Sequence, residues 1–128
     1  SDVCSSDLGH IGHVQGSALP ACGDYSGCIF ERGPHWVKRI REAAPFADLP
    51  AEFQVMQSHC GQIEHPPRGW EHVIGPGLGT KTVMQCIRAR GLPIYAAQFH
   101  IEMEGTPEVS RAIMNGFLGE ARSFRDRR

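Results

Sequence analysis

Apolar positions recur along this chain on two periods, and the change from one to the other divides it. Over the first hundred residues the spacing is that of strands. Glu52–Gln57, with its apolar Phe53-Gln54-Val55-Met56, predicts a strand, and Trp70, His72 and Ile74 alternate against Glu71 and Val73, which predicts one with a covered face. Thr82–Arg88 predicts another strand, and the unbroken apolar run Leu92–Ala97 predicts a buried one ending at Gln98-Phe99-His100-Ile101-Glu102. Earlier, Ser26–Pro34 and His35–Ile40 predict two strands joined at Arg32-Gly33-Pro34, with Trp36, Val37 and Ile40 supplying buried surface. A helix from His35 through Ala44 competes for the second of these. Gly9–Gly16 reads as a turn and a short strand. Ala44–Pro50 is a proline-bracketed helical turn pinned by Phe46 and Leu49. Ser58–Gly61, Gln62–Arg68 with its Pro66-Pro67, Gly75–Thr80 and Ala89–Pro93 read as loops and turns.

Beyond Glu102 the period becomes helical. Val109, Ile113, Met114, Phe117, Leu118 and Ala121 form one apolar stripe. Thr106 is suited to cap the helix, Pro107 to its first position and Glu108 to the positive end of its dipole. Strands followed by a terminal amphipathic helix imply an α/β fold. The stripe is core, and no cofactor role attaches to it.

Composition narrows the function. With 128 residues, a net charge of −1, 41% hydrophobic and 21% charged residues, the chain has the balance of one globular domain. Near-neutral charge offers no footprint for nucleic acid, and the only basic cluster is the tail Arg122–Arg128. No apolar run is long enough to span a bilayer, so a cytoplasmic protein without membrane partners is expected. Five cysteines, an odd number without a Cys-x-x-Cys pair, argue for reduced thiols over a disulfide framework or zinc site. His10 and His13 invite a metal reading, but no third ligand stands at suitable spacing, so no metal is expected.

The candidate chemistry lies at His100 and Glu102. Residues two apart in extended backbone share a side, so the carboxylate can orient the imidazole and stabilise its charged form. The other ring nitrogen is then free to take a proton from a nucleophile. The pair is two thirds of a catalytic triad.

Gln98-Phe99-His100-Ile101-Glu102 resembles the Gln-Phe-His-Pro-Glu signature of class I glutamine amidotransferases, with Ile101 in place of the proline. Ser58-His59 resembles the family's Ser-His segment. Arg68–Ile74 and Thr82–Ile87 resemble the two strands leading to the signature, and Ile113–Leu118 its closing helix. Among subgroups, the amidotransferase domain of GMP synthase and its free-standing relatives are the most similar. The resemblance implies a flavodoxin-like three-layer α/β fold with a central mixed sheet, glutamine as substrate, a partner in the form of an ammonia-accepting synthase domain or subunit, and no cofactor. It also implies that His100 and Glu102 are catalytic and that Ser58 and His59 hold the α-amino and α-carboxyl groups of glutamine. The family's nucleophile is a cysteine in Gly-x-Cys-x-Gly, and none of Cys4, Cys22, Cys28, Cys60 and Cys86 matches that pattern; Cys60, beside His59, comes nearest.

Residues 1–8 look like a translated sequencing adapter. On that reading residues 9–122 are a partial amidotransferase domain cut after its nucleophile, residues 123–128 are a basic tail, and the chain alone is inactive. A γ-glutamyl hydrolase of the same fold would use the same triad, and a non-catalytic binding domain would keep the fold without the thiol. A histidine-rich metal module is a third alternative.

Overall fold

The structure, a computed structural model, describes residues 10–13, 31–59 and 61–127. Its strands are β1 (His10–His13), β2 (Glu31–Arg39), β3 (Glu52–His59), β4 (Gly61–His65), β5 (Trp70–Pro76), β6 (Cys86–Ala89) and β7 (Tyr95–Ala97); helix α1 spans Pro107–Asp126. Five strands form one sheet in the order β3-β2-β5-β6-β7, and β1 pairs with β4 beside it. The expected α/β fold with its C-terminal helix is present. Every pairing between described strands is antiparallel, so the parallel part of a mixed sheet is not seen among the described residues. The adapter-like stretch Ser1–Leu8 lies outside them.

Several local expectations need correction. Glu31–Arg39 is one continuous strand, and there is neither a turn at Arg32-Gly33-Pro34 nor a helix from His35. Gly33 takes a φ of 89°, which a glycine adopts without strain, and the ladder to β3 continues through Gly33↔Gln57 and Pro34↔Met56. On its other side β2 pairs with β5 only from Val37 onward, leaving Pro34 where a missing N–H is tolerated. Ser58 and His59 end β3 instead of opening a loop. Gly61–His65 is likewise a strand, because pairing with β1 gives its backbone partners; the prolines stop it.

In β5 a register shift between His72 and Ile74 breaks the alternation, and Val73 and Ile74 are both buried. Strand β6 begins only at Cys86, while Thr82 and Gln85 are buried in the segment before it. The apolar run expected to be a buried strand yields the three-residue β7, an edge of the sheet, with Leu92 and Ile94 about half exposed.

The two edges of the sheet nevertheless meet. Beyond β7 the chain reaches β3, and His100 pairs with Met56 as an isolated antiparallel bridge. The sheet is therefore curled, and its concave side holds Val37, Phe53, Val55, Ile74, Phe99 and Ile113 in one cluster. Phe46, on the 3₁₀ turn Ala44–Phe46, sits at the centre: its ring stacks on Phe53 at 6.0 Å and meets Tyr95 and Phe99 edge-on at 6.5 and 6.4 Å. Such contacts add about 0.5–1.5 kcal/mol per pair beyond area burial.

Helix α1 closes this side. Ile113 is buried, Val109 packs on the cluster and Phe117 meets Tyr95 at 6.1 Å, but Met114 and Leu118 remain exposed, so only half the predicted stripe is core. Gly116 allows the close approach: a Cβ there would stand 2.7 Å from the Ala44 carbonyl oxygen. Thr106 occupies the N-cap position as predicted, yet its hydroxyl makes no capping bond and is buried without a partner.

Candidate active site

The residues around His100 are fixed by backbone bonds to two separate elements. The Gln98 N–H donates to the Gln85 carbonyl at 2.8 Å, and the His100 N–H to the Met56 carbonyl at 2.9 Å. Between them Phe99 is buried in the core. After His100 the chain turns instead of continuing as a strand, so His100 and Glu102 come together through a turn and not through extended backbone.

The outcome for the side chains is close contact. His100 Nδ1 lies 2.6 Å from Glu102 Oε2. A carboxylate can only accept, so Nδ1 carries the hydrogen, and in the neutral ring Nε2 keeps its lone pair. The His100 side chain is 34% exposed and that of Glu102 70% exposed, so the pair is open to a reactant. The hydrogen bond from His100, with a further one from backbone, holds the Glu102 carboxyl below its ordinary value of 4.5. Beside the pair opens an apolar cavity of about 260 Å³, lined by Phe46, Tyr95, Phe99, Ile101, Glu102 and Phe117 among others.

Ser58 and His59 part company. Directly paired residues of antiparallel strands share a face, so His100 lies on the same face of β3 as Met56 and, two residues along, Ser58. His59 turns to the other face, which carries Phe53, Val55 and Gln57, and is only 9% exposed. Its Nε2 lies 3.6 Å from Glu31 Oε1 and 3.5 Å from the Thr82 hydroxyl. Glu31 also accepts the Lys81 N–H at 2.8 Å, the Thr82 N–H at 3.2 Å and the Thr82 hydroxyl. Gln57 donates to the Gln85 side chain at 2.7 Å, and Gln85 to the Thr82 carbonyl at 2.9 Å.

Sequence reasoning missed this buried polar group. For Gln57 and His59 the signal was available, since both fall in phase with Phe53 and Val55. For Glu31, Thr82 and Gln85 no local pattern marks burial.

Cys86 is buried, and desolvation pushes its thiol up to about 12, so it is neutral near pH 7 and unsuited to nucleophilic attack. Cys4, Cys22, Cys28 and Cys60 lie outside the described residues, as do the side chains of His10 and His13. Among the described residues no three His, Cys, Asp or Glu side chains converge as metal ligands, and no helix is long and apolar enough to cross a membrane.

Comparison with known proteins gives this geometry a context. Residues 28–119 match the family described as glutamine amidotransferase class-I. The glutamine-hydrolyzing GMP synthase of Thermomicrobium roseum is 34% identical over 88 residues, which are 69% of this chain and 16% of that protein. That of Thermosipho melanesiensis is 32% identical over 81 residues, 63% of this chain and 15% of that protein. The chain thus spans under a fifth of the length of these relatives. Among solved structures, a putative GMP synthase subunit from Thermoplasma acidophilum superposes with a TM-score of 0.71 at 24% identity, covering 92% of this chain and 51% of that one. A glutamine amidotransferase from Thermotoga maritima superposes at 0.53 and 16% identity, covering 90% and 41%. Both likenesses show a shared fold.

Proposed function

The chain belongs to the class I glutamine amidotransferases, with GMP-synthase-like relatives, and on that premise we propose that it supplies the base and orienting carboxylate for hydrolysis of the glutamine side-chain amide. The observation that carries this reading is the 2.6 Å contact between His100 Nδ1 and Glu102 Oε2 on an accessible turn. Glu102 fixes the ring and stabilises the imidazolium; His100 Nε2 takes the proton of a cysteine thiol and returns it to the departing ammonia. The thiolate adds to the amide carbonyl, the carbon–nitrogen bond breaks, and water releases the resulting thioester as glutamate.

The thiol itself comes from a Gly-x-Cys-x-Gly turn outside these 128 residues. Ser58, on the face of β3 shared with His100, contacts the α-amino and α-carboxyl groups of the substrate; His59 serves the same segment from the buried side. The ammonia passes to a synthase domain or subunit, as the names of the relatives suggest.

The test is ammonia release from glutamine by the full-length gene product and by this chain alone. The reading expects release from the first, lost on His100→Ala, and none from the second. Release by this chain above its own His100→Ala control would overturn the assignment of the thiol.

A further inference from the structure

All five buried polar side chains among the described residues, Glu31, Gln57, His59, Thr82 and Gln85, fall in one region. Burying such groups is costly unless they bond one another, and a network of them ties together the elements it joins; here Gln57 Oε1 is buried without a partner, and the remaining bonds carry the connection. Here the bonds run in a chain. Glu31 on β2 gathers the Lys81 and Thr82 amides and the Thr82 hydroxyl, and faces His59 on β3. The Thr82 carbonyl holds the side chain of Gln85, whose amide oxygen holds Gln57 on β3. The same Gln85 gives its backbone carbonyl to the Gln98 N–H, and Met56, next to Gln57, gives its carbonyl to the His100 N–H.

The two backbone bonds that fasten the segment 98–100 thus start from the two elements this network joins, β3 and the segment 81–85. Neither element is otherwise tied to the other by a strand ladder, since β3 and β6 are separated by β2 and β5 in the sheet. We propose that Glu31 is a positioning residue for the His100–Glu102 pair: by clamping residues 81–82 to the start of β2, which is paired with the end of β3 at Glu31↔His59, it sets the spacing between the carbonyls of Met56 and Gln85, and so the seat of His100. The catalytic meaning of that seat rests on the function proposed above, but the geometry does not.

The clamp can be tested without turnover, by site-resolved amide hydrogen exchange and carbonyl-carbon NMR of the Glu102 side chain on the full chain. In Glu31→Gln one carboxylate oxygen becomes an NH₂ group facing a backbone N–H, and in Thr82→Val the hydroxyl donor is gone; Thr82→Ser keeps it. The expected result is that the first two speed exchange at the Gln98 and His100 amides about tenfold more than along the β5–β6 ladder, the scale of one lost bond to a charged group. They should also let the Glu102 carboxyl return toward 4.5, while Thr82→Ser stays close to the unaltered chain.

Val73→Ala, a core truncation on β5, is the control for general loosening. Exchange at Gln98 and His100 that only tracks the β5–β6 ladder, or an equal selective effect from Val73→Ala, overturns the proposal. Should Glu31→Gln fail to fold, the contrast of Thr82→Val with Thr82→Ser decides it. Loss of hydrolysis on His100→Ala with no exchange effect would reject the clamp and keep the function; the reverse would reject the function and keep the clamp.

Discussion

The histidine–carboxylate pairs His100–Glu102 and His59–Glu31 differ in almost everything except composition. His100 and Glu102 are two residues apart, 2.6 Å in contact and open to solvent. His59 and Glu31 come from facing strands, stand 3.6 Å apart and are buried to 7% and 4% exposure. In the exposed pair the carboxylate has the His100 ring as its one side-chain partner, beside a backbone bond. In the buried pair it is divided among two amides, a hydroxyl and the second imidazole. Access, and a carboxylate with one side-chain partner instead of several, separate the pair proposed to act on a substrate from the pair that joins β2 to β3.

The comparison is broken most forcefully at the exposed pair. His100→Ala should lower kcat for glutamine hydrolysis by about 10³-fold or more in the full-length protein, with little change in melting temperature, since removing a general base costs far more in rate than an exposed side chain costs in stability. Glu102→Gln should cost about 10²-fold or more by the same assay, because the ring loses its orientation and the charge that stabilises it.

At the buried pair the order reverses. His59→Ala should cost about 1–3 kcal/mol in urea unfolding, leaving the Glu31 carboxylate short of a partner. Gly116→Ala, which drives a Cβ into the backbone of Ala44 and Pro45 and touches neither pair, should cost a similar ~1–3 kcal/mol and calibrates a purely structural defect.

The smallest effect is electrostatic. Glu102 has a folded-state pKa below 4.5, so its contribution to stability is present above that value and is lost as pH falls through the lowered one. Salt at 1 M should raise the pKa back toward 4.5, read by carboxyl-carbon NMR, because the pair is exposed to screening. Amide exchange at Thr82, beside the buried carboxylate, should not respond to the same salt.

How much of this could be read from the sequence follows from where each element gets its partners. Helix α1 was legible because its cap position, first-turn proline and apolar spacing are local, although the exposure of Met114 and Leu118 was not. The His100–Glu102 contact was legible because both residues lie in one short motif, even though a turn and not a strand brings them together. Strand β2 was misread as a hairpin because Gly33-Pro34 is a turn signal that long-range pairing with β3 overrides. Leu92–Ala97 was misread as buried because an apolar run does not reveal which place its strand takes in the sheet. The Glu31 cluster could not be assembled from the sequence for the same reason: its contacts between β2, β3 and residues 81–85 bridge 23 to 51 residues, and only the curled sheet brings them together.

The measurement that bears most directly on this account is the rate of ammonia release from glutamine by the full-length protein, corrected for folded fraction, in His100→Ala beside His59→Ala. The account predicts that His100→Ala loses about 10³-fold or more and that His59→Ala, impaired mainly in stability, retains a rate well above it. A His100→Ala protein within about tenfold of the unaltered rate, less than any general base contributes, would contradict it.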